Sequence, residues 1–237
     1  MRDAGAGISL GVATVPTVKI TPDSLWFSIS PEQGEGCGGI ATIVQYFPKT
    51  QTFEVIQPEP LAQLQINDLA LQLDRGAVWL ATQRSDEGNP YLPGLGLVQY
   101  DLETNKIESF SVRNSPLVGA IPHQLQLAGK TPWVITGNGI CAIADIDPAE
   151  IKNWDCWRFQ LTNTLTQDTP VFSSLRSQDV IATFSAGTEI EVLWVSSTDF
   201  ETDAQRFEIV YESGLSASIS EGKISWRDYY GLPDYEP

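Results

Sequence analysis

The chain has 237 residues, 42% of them hydrophobic and 19% charged, which excludes an intrinsically disordered protein and supplies the apolar side chains for a sizeable core. Thirty acidic residues against fourteen basic ones give a formal net charge of −16, so phosphate backbones are repelled and nucleic acid is excluded as a favoured partner. No apolar stretch reaches the length of a membrane span, and the N-terminal segment lacks the apolar core of a secretory signal. We therefore expect a soluble cytoplasmic protein, either a monomer or a small oligomer, and an exported protein whose signal peptide has been removed is the alternative.

A tryptophan-centred strand followed by a hairpin occurs twice in the first half of the chain. In the first copy Trp26 precedes a glycine-rich loop and a strand that ends at Tyr46, and in the second Trp79 precedes a similar loop and a strand that ends at Tyr100. Trp79 follows Trp26 by 53 residues, and Tyr100 follows Tyr46 by 54. Because two landmarks keep the same offset to within one residue, the segment is a structural repeat.

Looser copies follow, centred on Trp133, which is 54 residues after the second tryptophan, and on Trp194, which is 61 residues further on. Apolar residues at alternate positions from Leu69 to Leu73 predict one more strand before the tryptophan strand of the second unit. Each unit thus contains four antiparallel strands, as a β-propeller blade does. The tryptophans, one per unit, are interpreted as packing residues between blades.

The predicted fold is a single all-β domain over residues 1–237, a β-propeller of about five blades. Four blades cover approximately residues 17–60, 64–116, 121–163 and 170–212. The strand-like segments that remain, 215–230 and 5–13, are predicted to form a composite fifth blade that closes the ring and removes its exposed edges. A truncated piece of a larger propeller is the alternative.

Two groups of propellers are similar to these repeats. Trp79-Leu80-Ala81-Thr82, with Gly94 to Gly96 and Val98-Gln99-Tyr100-Asp101, resembles the two-component-regulator propeller repeat, and Ser24-Leu25-Trp26-Phe27 resembles the virginiamycin B lyase group. The resemblance implies blade architecture and no particular activity, because tryptophan and glycine serve packing and turns. The lyase group implies histidine chemistry beside a magnesium ion, which this chain does not match because His123 is its only histidine.

The third unit carries an insertion, for which we predict one short helix over residues 147–154. Asp147 is a suitable N-cap, Pro148 suits the first helical position, and Glu150 completes a capping-box-like start. Cys141 and Cys156 flank this insertion. They are interpreted as buried free thiols of a reducing compartment, like the third cysteine, while a disulfide between them is the alternative.

The candidate binding site is an acidic rim, formed by the long loops that follow the tryptophan strands. Equivalent loops of successive blades emerge on one rim, and loops on a rigid scaffold often carry recognition. An acidic surface that only reflects the overall composition is the alternative. The predicted binding residues are Glu32, Glu35, Arg84, Asp86, Glu87, Tyr91, Asp199 and Glu201.

The predicted function is non-catalytic binding or scaffolding, in which this rim recognises a protein or a small ligand, cationic ligands included. The alternative is an enzyme, a metal-dependent lyase or a lactonase-type hydrolase with Ca²⁺ or Mg²⁺ in the central channel. No standard catalytic motif occurs, and an EF-hand at residues 199–210 is excluded because Ala204 and Val210 replace the required Gly and Glu. We therefore expect no cofactor and name no catalytic residue.

Overall fold

The computed structural model describes residues 13–31, 39–86, 89–144, 153–158, 162–173, 177–195, 206–211 and 216–220. These residues form eighteen β-strands and two single-turn 3-10 helices. The predicted all-β class is confirmed. In the part of the chain so described, no helix has the length and apolar character needed to cross a membrane.

The first three sheets are four-stranded antiparallel meanders that follow one another along the chain. Sheet 1 consists of β1 (Val18–Ile20), β2 (Leu25–Ile29), β3 (Thr42–Phe47) and β4 (Thr52–Ile56). Sheet 2 consists of β5 (Gln65–Gln72), β6 (Ala77–Asp86), β7 (Asn89–Asp101) and β8 (Ile107–Phe110). Sheet 3 consists of β9 (Pro122–Ala128), β10 (Thr131–Thr136), β11 (Gly139–Ile143) and β12 (Trp154–Arg158). Each tryptophan strand is the second strand of its sheet.

Sheet 4 differs from the meander expected around Trp194. Its strands are β13 (Thr162–Thr164), β14 (Thr169–Phe172), β15 (Val180–Phe184), β16 (Glu189–Val195), β17 (Arg206–Val210) and β18 (Ser216–Ser220). They lie in the order β13-β16-β17-β18-β14-β15, so β16, which carries Trp194, pairs with β13 and β17 instead of with the preceding strand β15. The cause is β18, which pairs with β17 along its whole length and separates the β14–β15 hairpin from the tryptophan strand.

The composite fifth blade stays a prediction, because most of its two segments, 5–12 and 221–230, lies outside the described residues. The insertion helix predicted over 147–154 is also largely outside them. Residues 216–220, which were assigned to the composite blade, form the strand β18 of sheet 4.

The tryptophans of the first two sheets are core residues, as predicted. Trp26 packs between sheets 1 and 2 with Ile43, Leu69 and Leu80, and Trp79 packs between sheets 2 and 3. The companions of Trp79 include Phe110, Leu117, Val134 and Trp154. Each indole N–H has a partner in its own unit, since Trp26 Nε1 donates to Ser24 Oγ at 3.1 Å and Trp79 Nε1 donates to Gln72 Oε1 at 2.9 Å. Burial therefore leaves neither indole with an unsatisfied donor.

The backbone repeats in its turns as well as in its strands. Gln51 and Asn105 both adopt the left-handed conformation, with φ of 56° and 57°, in the last hairpin of sheets 1 and 2. In the second of these hairpins the Asp101 carboxylate accepts backbone N–H bonds from Thr104 at 2.6 Å and Glu103 at 2.9 Å. These bonds, the one from Thr104 first, lower the pKa of Asp101.

The two cysteines that flank the insertion are joined in a disulfide. Cys141 on β11 and Cys156 on β12 are directly opposite in the strand register, with their Cα atoms 4.1 Å apart. The interpretation of these two residues as free thiols is wrong, and the alternative that joins them is correct. The register decides this, because it places the two side chains next to each other on the buried face of sheet 3.

Alkylation of the protein before and after reduction tests the disulfide directly. Iodoacetamide applied under denaturing, non-reducing conditions should add one carbamidomethyl group per chain, at Cys37, and three groups after prior reduction. The measurement is intact mass with peptide mapping. Three groups without reduction would contradict the disulfide, and a Cys37→Ser variant, expected to add none without reduction, is the control.

Candidate functional site

A β-hairpin arm projects from sheet 2 at the place where the sequence predicted a long open loop. Strand β5 pairs with β6 only as far as Gln83, and β8 pairs with β7 only from Leu97. Beyond these points β6 and β7 pair only with each other, at Arg84 with Leu92 and at Asp86 with Asn89. We call residues 84–92 the arm. The interpretation of this segment as an open loop is wrong.

A sequence signal for this hairpin was available. Glu87-Gly88 separates the paired residues Asp86 and Asn89, and a two-residue connection with glycine in second position is typical of tight hairpins. The surrounding serine, asparagine and prolines are residues that favour loops, and they concealed the strand pairing.

The arm brings three of the predicted binding residues onto one element. Arg84 and Asp86 lie on its β6 side and Tyr91 lies on its β7 side, and the side chain of Arg84 is exposed. The remaining predicted binding residues lie outside the described residues, namely Glu32, Glu35, Glu87, Asp199 and Glu201. Their convergence on one acidic rim therefore stays a prediction.

The root of the arm is fixed by hydrogen bonds of two buried polar side chains. Thr82 Oγ1 donates to the carbonyl oxygen of Gly96 at 2.7 Å and accepts from the N–H of Leu95 at 3.1 Å. Gln83 Nε2 donates to Gln65 Oε1 at 2.8 Å, and Gln83 Oε1 accepts from Asn67 Nδ2 at 3.0 Å. The arm thus leaves the sheet from a rigid base.

The same base is connected to sheet 3. Asn67 Nδ2 also donates to the carbonyl oxygen of Pro122, at 2.8 Å, where β9 begins. Asn67 is available for this contact because the register of β5 shifts between Ile66 and Asp68, which leaves it out of the ladder as a bulge. The position of the arm therefore depends on how the two sheets are joined.

Asp68, the residue after the bulge, joins three sheets through one carboxylate. Its Oδ1 accepts from Thr17 Oγ1 at 2.7 Å and from its own neighbour Leu69 N at 2.8 Å, and it lies 3.0 Å from Lys19 Nζ. Its Oδ2 accepts from Leu125 N at 2.9 Å. Thr17 and Lys19 belong to the segment that forms β1, and Leu125 belongs to β9. The sequence analysis did not identify Asp68.

The described residues offer no metal centre. No group of three or more His, Cys, Asp or Glu side chains in this part of the chain is arranged to hold an ion. Both oxygens of Asp68 already have protein donors, and His123 on β9 is exposed. The cation in the central channel and the lyase or lactonase alternative stay predictions, and so does the expectation of no cofactor.

Comparisons with known proteins give similarities to solved structures but none to a protein family. No protein-family model matches the chain, and no curated protein matches it. Among solved structures it is similar to the extracellular domain of the putative one-component system BT4673 from B. thetaiotaomicron, with a TM-score of 0.40 and 16% sequence identity. The match covers 82% of this chain and 20% of that one, so this chain corresponds to about a fifth of the other.

Replacement of Asp68 tests whether it holds the sheets together. Asp68→Asn removes the ion pair with Lys19 and turns one acceptor into a donor that faces other donors, so we expect a loss of about 2–4 kcal/mol in the free energy of unfolding. Equilibrium urea unfolding gives this value.

Asp23→Asn is the matched control, because it breaks the Asp23–Lys49 pair, whose side chains are 73% and 79% exposed. It should leave the urea midpoint unchanged, since exposed ion pairs contribute little. Equal midpoints for the two variants would show that Asp68 has no special role.

Proposed function

We propose that the chain is a non-catalytic binding module built on a β-propeller ring, and that it recognises a protein or small ligand of cationic character through the rim that carries the arm. The observation that supports this best is the arm itself, which is rooted in buried hydrogen bonds and projects beyond both neighbouring strands. A hairpin with no sheet on either side gains little stability from its own pairing. Its retention on a rigid base is typical of a recognition element.

The propeller ring is supported by the outer face of sheet 1, which points away from sheet 2. Strand register places only apolar and aromatic side chains over most of this face: Val18, Ile20, Leu25, Phe27, Val44, Tyr46, Phe53 and Val55. Ile20 is 79% exposed and Phe53 is 59% exposed. Strands that are apolar on both faces are typical of sheets covered on both sides, as blades are.

The composite blade of segments 5–13 and 215–230 is the proposed cover of this face. Sheets 1, 2 and 3 pack on one another in chain order, so the segments that remain after sheet 4 and before sheet 1 are the ones a ring would bring together. Such a cover removes apolar surface from water, at about 25 cal/mol for each Å².

Removal of residues 221–237 tests this closure. We expect the shortened chain to bind the dye ANS and to self-associate through the uncovered face, whereas the full chain stays monomeric with little dye bound. Light scattering after size exclusion and ANS fluorescence are the measurements. The same shortened chain with Ile20→Lys and Phe53→Lys should return to a monomer. Identical behaviour of the full and shortened chains would contradict closure by this segment.

Charge reversal on the arm tests the recognition site. Asp86→Lys with Glu87→Lys should reduce capture of a partner from extract by at least about tenfold, because like charges then face a cationic partner. The control is Glu103→Lys with Glu108→Lys, which changes the net charge equally at two exposed positions on the β7–β8 hairpin. Quantitative mass spectrometry of the captured proteins compares the two variants with the unmodified chain.

Two results would contradict the recognition site. The first is equal capture by all three proteins. The second is equal loss in the arm variant and the control, which would attribute binding to overall charge alone.

The location of the protein is part of the proposal. The cytoplasmic location predicted from the sequence stays a proposal, and the Cys141–Cys156 disulfide argues against it, because disulfides persist mainly in oxidising compartments. Rapid alkylation of intact cells before lysis measures the redox state of these two cysteines. Reduced cysteines would support the cytoplasmic location, and a disulfide would support an oxidising compartment.

A further inference from the structure

A stacked tryptophan pair lies on the face of sheet 3 that points away from sheet 2. Trp133 on β10 and Trp157 on β12 stack with ring centroids 5.7 Å apart and an interplanar angle of 6°. Trp133 is half-buried, whereas Trp157 is 46% exposed and is the largest exposed apolar side chain among those described. Trp157 thus differs from Trp26 and Trp79, which are 2% exposed. Its place on the outermost strand of sheet 3 leaves almost half of its surface in water, so a packing role does not account for Trp157.

A carboxylate accompanies the pair. Asp155 is exposed and lies two residues before Trp157 on the same strand, so both side chains are on the same face with Cα atoms about 7 Å apart. The nearest cation on the strand, Arg158, is bound by Glu191 at 2.9 Å and does not neutralise Asp155. An exposed indole and a carboxylate that has no partner among the described residues are thus adjacent on the outer strand of the sheet.

We propose that Trp157 and Asp155 bind an arginine side chain of a partner protein. A guanidinium is planar and always charged, so it stacks on an indole face and at the same time forms two hydrogen bonds to a carboxylate. The spacing of about 7 Å along the strand suits this combination. A lysine ammonium would lack the planar match.

The partner is inferred to be a protein because the site lies on β12, which is the outermost strand of sheet 3 among the strands that the structure describes. Small ligands are generally enclosed in a concave pocket, whereas arginine and tryptophan are enriched at protein interfaces. The net charge of −16 attracts a basic partner to any acidic part of the surface. The position of β12 as the outermost strand of sheet 3 keeps Trp157 at the perimeter.

NMR titration of the full chain tests the site. The probe is a peptide of three arginines alternating with glycine, and its control is the same peptide with neutral, planar citrulline for arginine. The indole N–H signal of Trp157 is assigned by its loss in Trp157→Leu. Its chemical shift should change on addition of the arginine peptide and should not change on addition of the citrulline peptide. Asp155→Asn should weaken binding about three- to fivefold, while Asp179→Asn, an equal charge change at the exposed residue just before β15, should not.

The possible outcomes separate this site from the arm. The arm variant with Asp86→Lys and Glu87→Lys should show the same Trp157 shift as the unmodified chain. Equal shifts with citrulline, equal effects of Asp155→Asn and Asp179→Asn, or a Trp157 signal that does not move would each overturn the proposal. If Trp157→Leu does not fold, Trp157→Phe supplies the assignment, and Asp155→Asn still decides the result.

Discussion

One carboxylate, whose side chain keeps only 14% of its surface exposed, sets how the first three sheets meet. Asp68 is part of β5. It accepts a hydrogen bond from the Thr17 hydroxyl and pairs with the Lys19 ammonium in the β1 segment, and it accepts a hydrogen bond from a backbone N–H of β9. A carboxylate that leaves water must regain its hydrogen bonds, and here it can regain them only if all three first strands are in place. The apolar contacts between sheets stabilise the stack without specifying its geometry, whereas these directional bonds specify it.

The bulge next to Asp68 extends this constraint to the arm. Asn67 is displaced from the ladder, reaches β9 with its amide, and shares that amide with Gln83, from which the arm departs. The bonds that fix the geometry of the sheets and the bonds that hold the arm therefore come from the same short segment of β5. The arm, which is the proposed recognition element, is thus connected to the junction of the sheets through Asn67, Asp68 and Gln83.

The sequence predicted the features that repeat and missed those that depend on long-range register. Trp26 and Trp79 recur at one offset because each blade-like unit needs the same anchor, so the strand order of the first two sheets could be predicted from them. No local sequence pattern identifies Asp68 as a residue that joins sheets, because its partners Thr17 and Leu125 are 51 and 57 residues away and the second contributes a backbone N–H. Sheet 4 was mispredicted where the tryptophan spacing changed to 61 residues, since the strand β18, which the sequence assigned to the composite blade, pairs with β17 instead.

The disulfide between β11 and β12 has a consequence for sequence variation in this chain. It joins the two strands at the base of the insertion, so the pairing of the edge strand β12 does not depend on what the intervening residues contribute. The entropic cost of a longer connection rises only slowly with its length, and the cross-link lowers the part of that cost that folding must meet, because the loop is already closed in the unfolded chain. Residues between Cys141 and Cys156 that pair with no strand are therefore free to change in number and character, and new surface chemistry can be acquired there without loss of the sheet.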